Sequence, residues 1–218
     1  MDWLQECFIE LSLPNYPASV SYSQRFKGYN ANMRVTKNTY VFSLSYLWKD
    51  VDVSIRKGVI QQLLIRFHKL QLTTPSTQLY TFFLQNLSEY APRTASDSLL
   101  SARFAVLNEQ YFSGLLSQPN LVWGSYSLTK LGHYEYASDT VSISTALKEA
   151  GPLLDYVLYH ELLHKKHKFT CTSSGRTRHH TRAFREDEKK FLLPRAEEQL
   201  SAYIQRLREQ KRSSWWKW

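Results

Sequence analysis

Three stretches of the 218-residue chain predict an α+β fold. Residues 32–38 and 39–47 alternate β-branched or aromatic with polar side chains, the period of strands. Residues 53–70 switch to a helical period, with Ile55, Val59, Ile60, Leu63, Leu64 and Phe67 on one side. Residues 121–130 and 134–143 read as strands again and lead into a second strongly helical stretch. Together they give a single α+β domain with an N-terminal α/β elaboration.

Taken in order, the first 31 residues form a mixed leader that ends in turn signals at Lys27-Gly28 and Asn30. Lys37-Asn38 joins the first two strands. Thr73-Thr74-Pro75-Ser76 breaks the chain and caps a helix over residues 78–90, which Ala91-Pro92 ends. Ser96 or Asp97 starts a third helix running to about Phe112. The second pair of strands is joined around Leu131-Gly132-His133. Gly151-Pro152 then opens the helix LLDYVLYHELLHKKH, with proline at a favoured first-turn position. Residues 170–179 are polar and basic around Gly175 and read as a loop. A helix follows over residues 181–192, Pro194 restarts one, and KRSSWWKW is a basic aromatic tail. Residue identities show no internal repeat. The expected divisions are an elaboration over 1–95, a core over 96–193, and a C-terminal helix and tail over 194–218.

Composition narrows the class. A hydrophobic content of 43% with 22% charged residues excludes a wholly disordered chain, and only 7 Gly and 7 Pro exclude a collagen-like one. Cys7 and Cys171 are too few for a disulfide framework or a four-cysteine zinc ribbon. The acidic start MDWLQECFIELSL lacks the basic opening of a signal peptide, and no 18-residue apolar run exists. The expectation is a soluble cytoplasmic protein without a transmembrane segment. The net charge of +9 is unevenly placed. Residues 1–164 carry 13 basic and 13 acidic side chains, whereas residues 165–218 carry 15 basic and 6 acidic ones.

The chemistry-bearing motif is His160-Glu161-Leu162-Leu163-His164. Histidines at i and i+4 project from one helix face and can both reach a zinc ion. The intervening glutamate can take the proton of a water that zinc activates. A catalytic zinc takes three protein ligands, and His167, further along the same straight helix, cannot readily converge with the other two. The third ligand is therefore expected beyond the loop, at His179 or His180, with Glu186 or Glu188 as the carboxylate alternative.

HELLH followed by GRTRHHTRAFREDEKKF resembles the SprT-like metalloprotease core, in which a third histidine opens a segment of the form His-x-x-x-Phe. His180-Thr181-Arg182-Ala183-Phe184 has that form, sixteen residues after His164. Phe104 to Leu116 is similar to the family's entry helix, and Val122-Trp123-Gly124-Ser125 with Val141-Ser142-Ile143-Ser144 to its strand pair. The likeness covers roughly residues 98–192, and the zincin-like family that includes YgjP shares the Trp-Gly-Ser and His-Glu-x-x-His elements. The resemblance implies a zincin-like fold, with short antiparallel strands preceding the His-Glu-x-x-His helix and helices flanking it. It also implies zinc on His160, His164 and His180, with Glu161 as general base in peptide hydrolysis. His179 stands where the family has a small or polar residue. A second electrophile is sought among Tyr126, His133, Tyr134 and Tyr136.

The basic segment carries a separate expectation. Lys165, Lys166, Lys168, Arg176, Arg178 and Arg182 flank the ligands, and Trp215 and Trp216 interleave with the last basic residues. Basic side chains neutralise phosphates and indoles stack on unpaired bases, which suits single-stranded or distorted DNA. The resemblance points the same way, toward DNA-dependent proteolysis of DNA-associated proteins. The alternatives are a nucleic-acid-binding module with a structural zinc, or a YgjP-like zinc hydrolase on a non-peptide substrate.

Overall fold

The computed structural model describes residues 2–26, 28–37 and 39–215 and has mixed α+β structure. The chain divides into two compact units, Met1–Leu87 with Phe169–Arg178, and Ser88–Lys168 with His179–Trp218.

In the first unit the expected leader contains two elements. Helix α1 (Trp3–Glu10) is capped by the Asp2 carboxylate, which accepts from the Leu4 amide at 3.1 Å. Eight residues are too short a run for periodicity to reveal; what holds the helix is burial of Leu4, Cys7 and Phe8. Strand β1 (Ala18–Ser23) pairs parallel with β3 (Thr39–Ser45), and β2 (Ala31–Thr36) pairs antiparallel with β3 from the other side. Helix α2 (Val53–His68) starts on an Asp52 cap and ends on Lys69 in the left-handed region. Helix α3 spans Pro75–Asn86 rather than 78–90, because Thr74 and Thr77 form a reciprocal capping box and Pro75 takes the first turn. Phe8, Phe42, Leu44, Trp48, Ile60 and Leu64 are fully buried in this unit's core.

The second unit opens with α4 (Ser98–Phe112), capped by Asp97 through the amides of Leu99 and Leu100. Strand β4 (Asn120–Gly124) pairs parallel with β6 (Thr140–Ser144), where antiparallel strands are expected, because β5 (Gly132–Glu135) comes between them in the chain and lies antiparallel on the far side of β6. The expected strand over 121–130 stops at Gly124. Beyond it, Ser127 Oγ accepts from the amides of Thr129 and Lys130 in a local turn. The expected strand over 134–143 is two strands, and Gly132 and His133, expected at the joint, lie inside β5. Asp139, at a φ of 46°, makes the reversal, and its carboxylate accepts from the Tyr134 hydroxyl at 2.7 Å. Helix α5 (Pro152–His167) is buried on most of its surface, from Leu153 to Leu163. Helix α6 is shorter than expected, at Arg182–Glu188, and α7 (Ala196–Trp215) continues into what the sequence suggests is tail. No helix among the described residues is long and apolar enough to cross a membrane.

Residues 170–179, expected as a loop, contain a hairpin of Thr170–Cys171 with Thr177–Arg178 that belongs to the first unit. It is held there by Gln85 Nε2 donating to the Phe169 carbonyl at 2.5 Å and the Leu72 amide donating to the Ser173 carbonyl at 3.0 Å.

Candidate metal centre

His160 and His164 lie one turn apart on α5 and are half-buried, while the rest of that helix is packed around them. The third histidine comes from the start of α6. Thr181 caps that helix by accepting from the Phe184 amide at 3.2 Å, so the residue before the cap, His180, is set at its mouth. Phe184 is fully buried, with its ring centroid 5.2 Å from that of His160 and 4.8 Å from those of His164 and His180.

One ligand atom from each of His160, His164 and His180 lies within 4.8 Å of the others. His164 Nε2 and His180 Nε2 are 3.3 Å apart. Two nitrogens bonded to one tetrahedral zinc at about 2.05 Å stand about 3.3 Å from each other, so this pair has the spacing of two zinc ligands. His160 is oriented by the Glu188 carboxylate, 2.6 Å from its Nδ1, which leaves Nε2 for a metal. Glu188, the carboxylate alternative for third ligand, therefore supports a ligand. His179 lies outside the cluster: its ring centroid is 5.9 Å from that of His164, and its Nδ1 is 3.4 Å from the Tyr136 hydroxyl.

Electrostatics keep His164 and His180 in the form that can accept a cation. Burial, followed by the neighbouring histidines, pushes His164 down to about 3, and burial and His160 lower His180. Both are thereby neutral imidazoles, the form that binds metal. Burial also pulls His160 down, but the Glu188 hydrogen bond and the charges of Glu161 and Glu188 outweigh it and leave its pKa raised. Glu161 is only 7% exposed, and burial pushes its carboxyl up to about 7, against the opposing pull of His160. A carboxylate poised near neutrality is suited to taking and returning a proton.

Glu161 is seated against the edge strand β5. The Tyr134 amide hydrogen-bonds to it, and a Cβ on Gly132 would stand 2.5 Å from Glu161 Oε1. Gly132→Ala should therefore displace the carboxylate or the strand, lowering any hydrolytic rate about tenfold or more while zinc content stays at the wild-type value. Rate and zinc content measured on the same preparation check this.

Each of the lysines read as phosphate contacts has an acidic partner. Lys165 bonds both oxygens of Asp139 at 2.6 Å with only 8% of its side chain exposed, so it is not presented to a phosphate. Lys166 and His167 bond Asp187 at 2.6 and 2.8 Å, and Lys168 pairs with Glu89 at 3.1 Å. Asp187 also takes Lys190 at 2.5 Å, and its backbone carbonyl accepts from the buried Tyr159 hydroxyl at 2.6 Å. Burial would raise the Asp187 carboxyl, yet these donors hold it well below the usual range. The result is an ionic clamp registering α6 on α5, one residue from Glu188. Arg176 and Arg178 are exposed on the hairpin and Arg182 on α6. Trp216 and the side chain of Trp215 lie outside the described residues.

Sequence reasoning missed Asp187 and the supporting role of Glu188. Their spacing from Phe184, three and four residues on a helix, is the one signal that placed them on the ligand-facing side. Of the four candidate electrophiles, Tyr134 is committed to Asp139, Tyr126 stands under Lys211, and Tyr136 is near Glu161 and His179. His133, exposed on β5, is close enough to His164 to lower its pKa. No protein-family model matches the chain, and no curated protein or solved structure is significantly similar to it.

Proposed function

We propose that this chain is a zinc-dependent metallopeptidase with a zincin-like core of the SprT-like type. The observation that carries the reading is the convergence of His160, His164 and His180 within 4.8 Å, beside a buried glutamate on the same helix. A structural zinc site needs no such base, and its fourth position is closed by a fourth protein ligand.

Zinc, when bound, supplies Lewis acidity toward a water molecule and a substrate carbonyl. His160, His164 and His180 would hold it, with Glu188 fixing the ring of His160. Glu161 takes the proton released by the attacking water and delivers it to the leaving amine. Strand β5 is the edge of its sheet and lies against Glu161, so its backbone can align an extended peptide at the site. Tyr136 keeps its proton, because burial and then the charge of Glu161 raise its pKa, and it can donate to an oxygen gaining charge. Tyr136→Phe should lower kcat roughly a hundredfold with KM and zinc content unchanged. A steady-state comparison of the two proteins decides it.

DNA-associated proteins are the substrate class that the SprT-like resemblance favours. On this chain the support rests on exposed Arg176, Arg178 and Arg182. The test of both parts uses zinc-loaded protein with β-casein, with and without a single-stranded oligonucleotide, products being read by mass spectrometry. Cleavage that a chelator stops supports the peptidase, and stimulation by the oligonucleotide supports the DNA link. Intact casein in every condition, with zinc bound, would turn the reading toward a non-peptidase zinc protein.

A further inference from the structure

The two units share a plan that the residue identities conceal. In each, the first strand runs parallel to the third and the second antiparallel to it, giving orders β1-β3-β2 and β4-β6-β5. The registers coincide as well. Ser23 faces Ser45 where Gly124 faces Ser144, and Ala31 faces Leu44 where Gly132 faces Ile143. The Ser45 amide donates to the Asn30 carbonyl at 2.9 Å, and the Ser144 amide to the Leu131 carbonyl at 2.8 Å. A 3-10 turn follows each third strand, then a helix of 16 residues, α2 or α5. Both helices end on a lysine of positive φ, Lys69 at 54° and Lys168 at 53°, although their ψ angles differ.

From Ser43 to Lys69 the second unit matches without a gap, 99 positions later. Ser45 meets Ser144, Leu63-Leu64 meets Leu162-Leu163, and His68-Lys69 meets His167-Lys168. At the metal positions the chemistry is gone: Gln61 stands for His160, Gln62 for Glu161 and Ile65 for His164. That face of α2 is closed, Gln61 and Ile65 being 0% and 1% exposed. Its cover includes the hairpin loop at Gly175. Gln62 Nε2 donates to the Gly175 carbonyl at 2.6 Å, and a Cβ on Gly175 would stand 2.8 Å from Arg66 Cγ and 3.2 Å from Ile65 Cγ2. Gly175 has a φ of +70°, which a side chain resists.

We infer that the chain carries two copies of one strand-and-helix module. The first has lost its metal residues and uses the corresponding face of α2 to grip the segment that joins His164 to His180. The inference rests on the metal-centre reading above. Residues 169–178 lie within that fifteen-residue connection. Pairing of Thr170–Cys171 with Thr177–Arg178 draws the two ends of the connection together, which leaves His180 less freedom to lose on metal binding than a free loop would. Gln62 and Gly175 are thus positioning residues for the third ligand, although neither touches it.

The test is zinc affinity by chelator competition, together with the visible spectrum of the cobalt-substituted protein, on full-length variants. Wild type should take one zinc per chain. Gln62→Ala and Gly175→Ala should weaken zinc about tenfold and diminish the tetrahedral cobalt bands. Lys57→Ala, which removes an ion pair with Glu6 and Glu10 in the same unit, should change neither. If either variant fails to fold, Gln85→Ala, which frees the Phe169 carbonyl at the hairpin's start, is read in the same way. Wild-type affinity in Gln62→Ala and Gly175→Ala, an equal loss in Lys57→Ala, or two zinc ions per chain would overturn the inference alone. A wild-type protein that takes up no zinc would overturn the metal-centre reading and this inference with it.

Discussion

Glu161→Gln should retain zinc and lose peptide hydrolysis by about 10²–10⁴ in kcat, the range for removal of a positioned general base. The variant is informative because the two side chains have the same shape. Glu161 is buried against Gly132 and the Tyr134 amide, so a truncation would also leave a cavity and unseat β5. Glutamine fills the space but cannot take a proton. The three histidines are untouched, so zinc content and KM should match wild type, and the loss should fall on kcat alone. Zinc analysis and a full rate–concentration curve on one preparation make the measurement. A rate within tenfold of wild type would remove Glu161 from the role of base and leave His133 or Tyr136 as the group to examine.

The second large effect separates two adjacent histidines. His180→Ala should weaken zinc by at least about a hundredfold, beyond the 10–100-fold typical of residues that only support a ligand. His179→Ala should bind zinc within a few-fold of wild type. The reason is geometric. His180 Nε2 stands 3.3 Å from His164 Nε2, whereas His179 points its Nδ1 at the Tyr136 hydroxyl. His179→Ala should instead resemble a mild form of Tyr136→Phe, because it removes one of the groups in contact with the phenol. Competition with a chelator of known affinity reads the pair, and equal losses in both would show that the register of the third ligand is wrong.

Much of this centre was legible in the sequence because its parts are local. Histidines four apart need only a helix to meet, and the helix was announced by Pro152 and the apolar run behind it. His180 was legible through its spacing to Phe184, which the fold turns into a buried ring against all three imidazoles. The ionic clamp on Asp187 was hidden, since one of its donors, Lys166, is a residue that the sequence assigns to a basic surface. Charge counts do not show which lysines are already paired. The leader's strand was invisible for another reason: β1 is sustained by parallel pairing with residues 22 positions further along the chain. The repeat escaped because the features its two copies share are register, turn and helix length, while the residues at the metal positions differ.

The most direct test is a crystal structure of the zinc-loaded protein with anomalous diffraction at the zinc edge. One ion is expected, bonded to nitrogens of His160, His164 and His180 at about 2.0–2.1 Å, with Glu161 near it but not bonded to it. An ion held by His179 in place of His180, closed off by a fourth protein side chain, or absent from these residues would contradict a catalytic zinc centre here.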